Sequence, residues 1–363
     1  MHTYWEGWKS LPDWQLPKNF RPSTKVSILI PARNEAAGIQ SCLRSMLAQN
    51  YPSSLYEIIV IDDHSEDETA QLANALNDER IRVLDLSKHL KERPQSAFKK
   101  RALETGIAAA NGDLIVTTDA DCIAGGEWLS LLVSYYEKHQ PKFIAAPVNM
   151  MGEQNLLQRF QSLDFIGMMG VTGAGIWEGF MHMSNGANMA YEKKVFEELN
   201  GYEGIDHVAS GDDMLLMQKI AATYPDQIAF VKNKAATIFT EAQPTLSAFV
   251  QQRIRWASKS SQYTENLVNV QLVLVFLFCC NIIVSLCLIP FWGITALLLF
   301  LLQVTIKGIA DFRQLNGMTQ FFYRSDLMAI FVPALFMHIA YIVVIGMLAN
   351  LVKRYRWKGR EVK

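Results

Sequence analysis

Between Glu265 and Lys307 the chain runs for 41 residues without an Asp, Glu, Lys or Arg, and between Asp326 and Lys353 for 26 more. A helix needs about 20 apolar residues to cross a bilayer. A helix buried in a water-soluble core, the alternative, seldom runs so far without a polar face. The first run has room for two crossings, broken near Pro290 and Gly293, and the second for one. The expected spans are about 267–289, 291–306 and 327–352, with residues 353–363 as a basic tail that carries six Lys or Arg and one Glu.

The remainder reads differently. From Lys25 to about Asn149, short β-rich runs alternate with helical ones. Val26–Pro31, Tyr56–Asp62, Ile81–Leu86, Asp113–Thr118 and Phe143–Val148 read as strands, and the segments between them as helices. Such alternation predicts an α/β fold with a mostly parallel sheet, and ligands bind beyond the carboxyl ends of such strands. Helices are expected over Glu153–Gly170, on the membrane surface or against the sheet, and over Asp212–Ala222 and Thr245–Ser260. Residues 1–24 carry Tyr4, Trp5, Trp8 and Trp14, which suit either a membrane interface or packing onto the domain.

Composition bounds the partners. With 34 basic and 35 acidic side chains, whole-chain charge offers no argument for a nucleic-acid partner. The five cysteines have no C-x-x-C or metal spacing, which fits a reducing compartment rather than a disulfide framework. No signal peptide is expected at the N-terminus.

Polar residues follow several strands. Pro31-Ala32-Arg33-Asn34-Glu35 ends the first, Asp62-Asp63-His64-Ser65 the second, and Thr117-Thr118-Asp119-Ala120-Asp121 the fourth. Each alone reads equally well as turn and cap chemistry; together, at one edge of a parallel sheet, they make a polar cleft. The carboxylates of Asp119 and Asp121 can face the same side of an extended segment and hold Mg²⁺ or Mn²⁺ beside phosphate oxygens. Lys99, Lys100 and Arg101 are candidates to reach phosphate or simply to face solvent. Ser210-Gly211-Asp212-Asp213 opens a helix, either as an N-cap or as the source of a general base. In Gln252-Arg253-Ile254-Arg255-Trp256, Arg255 can pair with a diphosphate and Trp256 can wall an acceptor site. A juxtamembrane basic segment is the plainer reading.

In this order, VSILIPARNE, IDDHSED, FKKRALETGI, TTDADC, SGDD and QRIRW, followed by apolar spans, resemble glycosyltransferase family 2. The resembling subset includes cellulose, chitin, hyaluronan and poly-N-acetylglucosamine synthases and ceramide glucosyltransferases. The resemblance covers Lys25 to about Trp256. It implies a GT-A fold (Rossmann-like, over residues 25–262), inversion at the anomeric carbon, and a nucleotide-sugar donor, more often UDP- than GDP-linked. Carried over by position, Ala32, Arg33 and Glu35 line the nucleoside site, Asp63 contacts the base and Lys99 faces the diphosphate. Asp119 and Asp121 hold the donor and its Mg²⁺ or Mn²⁺, Asp213 is the base, and Gln252, Arg255 and Trp256 close over the diphosphate and acceptor. Asp212 stands where the family usually has Glu, which leaves open which carboxylate is the base.

Three spans are few for a polymer channel, so a lipid-linked or membrane-resident glycan acceptor is expected, with a synthase working beside partner subunits as the alternative. Nucleotide sugars are cytosolic, so the domain is expected on the cytosolic side of the cell (inner) membrane. Three crossings would then export the basic tail, whereas basic flanks favour the cytosol; a re-entrant segment would reconcile the two. A nucleotidyltransferase is a weaker reading because the first strand lacks a Gly-rich phosphate loop. A non-catalytic membrane partner is weaker still, given the full acidic set.

Overall fold

The computed structural model describes residues 2–89, 97–208, 210–258, 263, 265–351, 355–357 and 360–362. In chain order the elements are α1 (His2–Ser10), β1 (Val26–Ala32), α2 (Ile39–Leu47), β2 (Tyr56–Asp62), α3 (Thr69–Asn74), β3 (Ile81–Asp85), α4 (Leu86–His89) and α5 (Phe98–Ala109). β4 (Leu114–Thr117), β5 (Ile123–Ala124), α6 (Trp128–His139), β6 (Phe143–Ala145), β7 (Val148–Met151), α7 (Leu156–Trp177), β8 (Met189–Glu192) and α8 (Lys193–Glu198) follow. α9 (Met214–Thr223), β9 (Ile228–Phe230), β10 (Ile238–Glu241) and α10 (Leu246–Ser258) complete the α/β part. Then come α11 (Asn266–Cys287), α12 (Ile289–Trp292), α13 (Ile294–Phe321), α14 (Phe331–Leu351) and the antiparallel pair β11 (Tyr355–Trp357) and β12 (Arg360–Val362). The remainder of the expected basic tail, position 352 of the third expected span, and residues 259–262 lie outside the described residues.

The main sheet has seven strands in the order β3-β2-β1-β4-β8-β6-β9. It is mostly parallel; β8 alone runs antiparallel to its neighbours β4 and β6. β1 and β2 read as near-continuous apolar runs because helices cover both faces. Ile28, Leu29 and Ile30 are fully buried, as are Ile58, Ile59, Val60 and Ile61, and burial of each such side chain stabilises the fold by about 1.5–3 kcal/mol. Chain order reverses between β1 and β4, which opens a crevice beyond their carboxyl ends.

The expected strand over 143–148 is two strands. Pro147 has no N–H to continue the ladder, so β6 stays in the main sheet while β7 joins a second, three-stranded sheet, β5-β10-β7. α7 is largely buried and packs against β7 and β9 of the α/β part as well as against α1 and α13. Trp8 is 4% exposed and meets Phe230 and Phe321 edge-on. The Trp14 indole N–H donates to Ser134 Oγ at 3.0 Å. For these two tryptophans the packing alternative is the observed one.

Among the described residues, three helical runs are long and apolar enough to cross a membrane: Asn266–Cys287, Ile294–Phe321 and Ser325–Ala349. α13 overruns the expected end at 306 because the residues beyond remain helical and turn polar side chains inward: Lys307, Asp311 and Gln314 are buried, as is Gln303 before them. The outward faces are apolar, with Leu274, Leu298 and Val332 each about 60% exposed.

Candidate active site

The turns after β1 and β2 are braced against each other. Arg33 is buried, and its Nη1 donates to the carbonyls of Asp63 (2.9 Å) and His64 (2.6 Å). Asn34 and His64 adopt left-handed backbone conformations, with φ of 52° and 57°, which residues other than Gly seldom occupy outside functional or tightly held turns. Asn34 Oδ1 accepts from Glu66 N at 2.8 Å, and the Glu35 N–H donates to Thr69 Oγ1 at 2.7 Å. The buried Asp63 carboxylate meets His64 Nδ1 at 3.0 Å.

Asp119 and Asp121 follow β4. One carboxylate oxygen of each and the sulfur of Cys122 all lie within 4.8 Å of one another. Asp121 faces the open hollow but is closely surrounded by protein; this burial, with the Asp119 charge beside it, raises its pKa. Cys122 is buried, and burial followed by the two Asp charges pushes its thiol well up, so it stays protonated. The donor set is therefore two hard carboxylates, which suits Mg²⁺ or Mn²⁺ better than a softer metal.

Lys99, at the start of α5, ties this pair to a distant part of the chain. Its Nζ lies 2.8 Å from Asp119 Oδ1 and 3.2 Å from Asp212 Oδ2. Burial alone would lower the Lys99 pKa, but the Asp119, Asp212 and Asp213 charges outweigh it and raise it. Lys100 points elsewhere: it is buried and donates to the carbonyls of Ile205 (2.5 Å) and Val208 (2.8 Å). Asp213 caps α9, with Oδ1 accepting from Met214 N at 2.7 Å and Oδ2 from Gly186 N at 3.3 Å. The cap reading and a place at the cavity wall thus hold together for Asp213. Asp212 is the more buried of the two and is engaged by Lys99.

Ala32, Arg33, Glu35, Asp63, Lys99, Asp119, Asp121, Asp212, Asp213, Gln252, Arg255 and Trp256 all line one cavity of about 1500 Å³. Sequence reasoning missed several of its other walls. A Cβ on Gly186 would lie 3.2 Å from both Asp212 Oδ2 and Lys99 Nζ, so this glycine holds the backbone close to the acidic set. Arg253, which has no assigned role in QRIRW, is 1% exposed and its Nη2 lies 3.1 Å from Asp164 Oδ2. From there the cavity continues between α11, α13 and α14, past Lys307, Asp311 and His338, to apolar walls that include Phe276 and Ile345. An ionisable residue inside an apolar span is the signal that could have marked His338.

A family model described as Glycosyl transferase family 2 matches residues 27–199, and one described as Glycosyl transferase family group 2 matches residues 114–352. The chain is 28% identical over 261 residues to Probable glycosyltransferase YdaM of Bacillus subtilis, a match covering 70% of this chain and 59% of that one. It is 24% identical over 239 residues to a poly-beta-1,6-N-acetyl-D-glucosamine synthase of Staphylococcus aureus, covering 64% of this chain and 53% of the synthase. The chain thus spans little more than half the length of these curated relatives. The solved structure of mannosyltransferase PcManGT from Pyrobaculum calidifontis, in complex with GDP-Man and Mn²⁺, has the same fold. It superposes with a TM-score of 0.58 at 18% identity, covering 96% of this chain and 94% of that one.

Proposed function

Because this chain belongs to glycosyltransferase family 2, we propose that it moves a sugar from a UDP-sugar to a lipid-linked or membrane-resident acceptor, with inversion, from a catalytic domain on the cytosolic face of the cell membrane. That it is a glycosyltransferase of GT-A fold follows from the family; the donor, acceptor and membrane setting are our reading. One observation carries it: a single cavity is lined both by the acidic set and by the helices long and apolar enough to span a bilayer. A water-soluble donor and a membrane-held acceptor can meet in such a space.

In this reading Ala32, Arg33, Glu35 and Asp63 receive the nucleoside. Asp119 and Asp121 would hold a divalent cation, a role supported by their paired hard oxygens and by the complex of PcManGT with GDP-Man and Mn²⁺. The ion, when bound, offsets negative charge on the diphosphate as it departs. Lys99 and Arg255 add fixed positive charge at the same leaving group, and Gln252 and Trp256 close the acceptor side. Asp213 takes the proton of the attacking hydroxyl. It is favoured over Asp212 because Asp212 is the more buried and already pairs with Lys99.

The test is the full chain in lipid vesicles with a panel of labelled nucleotide sugars and a total lipid extract, followed by mass spectrometry of the product. A single UDP-sugar yielding a glycosylated lipid is expected; turnover of no member of the panel would refute the reading. A synthase subunit is the second reading, supported by the likeness to the S. aureus protein, and products of many added sugars would favour it.

A further inference from the structure

Beyond Trp256 the cavity contains a cluster of charged side chains drawn from four helices. Arg253 on α10 faces Asp164 on α7 at 3.1 Å, and Lys307 and Asp311 pair within α13 at 2.6 Å. His338 on α14 lies 3.8 Å from the other Asp164 oxygen. The Arg253 guanidinium is enclosed by the rings of Trp256 (4.4 Å), Phe249 (5.0 Å) and Tyr341 (5.5 Å).

The cluster is poorly satisfied. Arg253 Nε and Nη1, His338 Nδ1 and Gln314 Oε1 are buried with no hydrogen-bond partner among the described residues, and Arg253 Nη2 and Asp164 Oδ2 meet as an ion pair without hydrogen-bond geometry. Leaving that many buried donors and acceptors unmatched is costly, and ionisable groups among membrane helices ordinarily serve a function. Both donors and acceptors are waiting, so the complementary ligand must offer both.

Charge decides which ligand that is. Arg253 and Lys307 are matched one for one by Asp164 and Asp311. Burial raises the Asp164 pKa, and the Arg253 and Lys307 charges oppose that rise. A phosphate added here would sit beside two carboxylates with no unmatched cation, which is unfavourable in a low-dielectric setting. Hydroxyl groups, which donate and accept without charge, satisfy the open atoms on both sides.

We propose that this cluster seats the head group of the acceptor, and that the acceptor is an uncharged acyl lipid with a hydroxyl-bearing head group, glycerol or sugar, rather than a lipid phosphate. The proposal rests on the glycosyltransferase reading above and specifies its acceptor. The apolar walls formed by α11, α13 and α14 take the acyl chains. In the transfer, the lipid hydroxyl oxygen bonds to the anomeric carbon, its proton passes to Asp213, and the bond from that carbon to the nucleoside diphosphate breaks, its electron pair leaving with the diphosphate.

Two photoreactive lipids in one vesicle preparation test this on the full chain without requiring turnover: a diazirine-tagged diacylglycerol and a diazirine-tagged isoprenyl phosphate. The diacylglycerol is expected to label the α14 peptide containing His338 at least tenfold more than the phosphate does. Replacing the pair together, Lys307→Met with Asp311→Leu, should remove most of that labelling, with nucleotide affinity measured on the same samples as a report on folding. A glycosylated diacylglycerol that labels better than diacylglycerol would identify sugar rather than glycerol as the head group. Equal or stronger labelling by the isoprenyl phosphate overturns the proposal. If the neutral probe labels selectively while no nucleotide sugar is turned over, the head-group site stands and the transferase reading falls.

Discussion

Asp212 and Asp213 are adjacent in sequence but differ in surroundings. Asp212 is held by Lys99, whereas Asp213 accepts backbone N–H groups from α9 and from Gly186. Asp213→Asn keeps a cap oxygen but cannot take a proton, so kcat should fall by about 10²–10⁴-fold, the usual worth of a general base, with donor affinity nearly unchanged by calorimetry. Asp212→Asn should instead weaken donor binding, because Lys99 loses one of its two carboxylate anchors. An Asp213→Asn enzyme with full kcat would assign the base elsewhere. At Gly186 a methyl group would press on Asp212 and Lys99. Gly186→Ala should lower kcat/KM by about tenfold to 100-fold through misplacement of reacting groups while moving the melting temperature little. Ala32, Asp63, Lys99, Asp119, Asp121 and Asp213 were legible in sequence because they end or follow an apolar strand or open a helix, and Gln252, Arg255 and Trp256 because they lie on α10 just before the first apolar run. Gly186 and Arg253 were not, because their importance lies in what other segments bring against them.

Among the elements, the N-terminal segment is the least predictable from local pattern. Long-range side-chain contacts hold it, two of them at the end of α1 and before β1. Lys232 Nζ donates to the carbonyls of Trp8 and Leu11, both at 2.9 Å, at the end of α1. Glu137 Oε1, on α6, accepts from the N–H and hydroxyl groups of Ser23 and Thr24 at 2.8–3.1 Å. Burial would raise the Glu137 pKa, but these hydrogen bonds outweigh it and lower it. The sign follows: the stabilisation is present above the unfolded pKa of about 4.3 and is lost as pH falls through the depressed folded value. Glu137→Gln should cost about 1–2 kcal/mol at neutral pH and flatten the acid limb of a stability–pH curve below about pH 4.5; an unchanged acid limb would remove Glu137 from that role. The strands β1 and β2 were readable because two-sided burial writes a continuous apolar run. The break at Pro147 and the extension of α13 to Phe321 depended on tertiary partners, a second sheet for β7 and inward polar contacts for α13.

At the scale of the whole molecule, the sequence pattern separates an α/β half from an apolar half but does not say that one hollow joins them. That joining comes from α7, which packs against β7 and β9 as well as α13 and α14, and from α10, which packs against α14; they contribute Asp164, Arg253 and Trp256 to a common wall. Chelation with EDTA should abolish sugar transfer while leaving the fold intact by circular dichroism, and Mn²⁺ or Mg²⁺ should restore it, since without a cation Asp119 and Asp121 add negative charge beside the diphosphate. Transfer that survives chelation would exclude the metal role of Asp119 and Asp121.

The most direct measurement follows the label. Full-length chain in lipid vesicles is given a radiolabelled UDP-sugar and a divalent cation, and the products are partitioned between organic solvent and water. The account predicts label in the organic phase from the unmodified chain and, at equal time, about a hundredth of it or less from Asp213→Asn. Label that stays in water with the unmodified chain, or reaches the organic phase undiminished with Asp213→Asn, would contradict it.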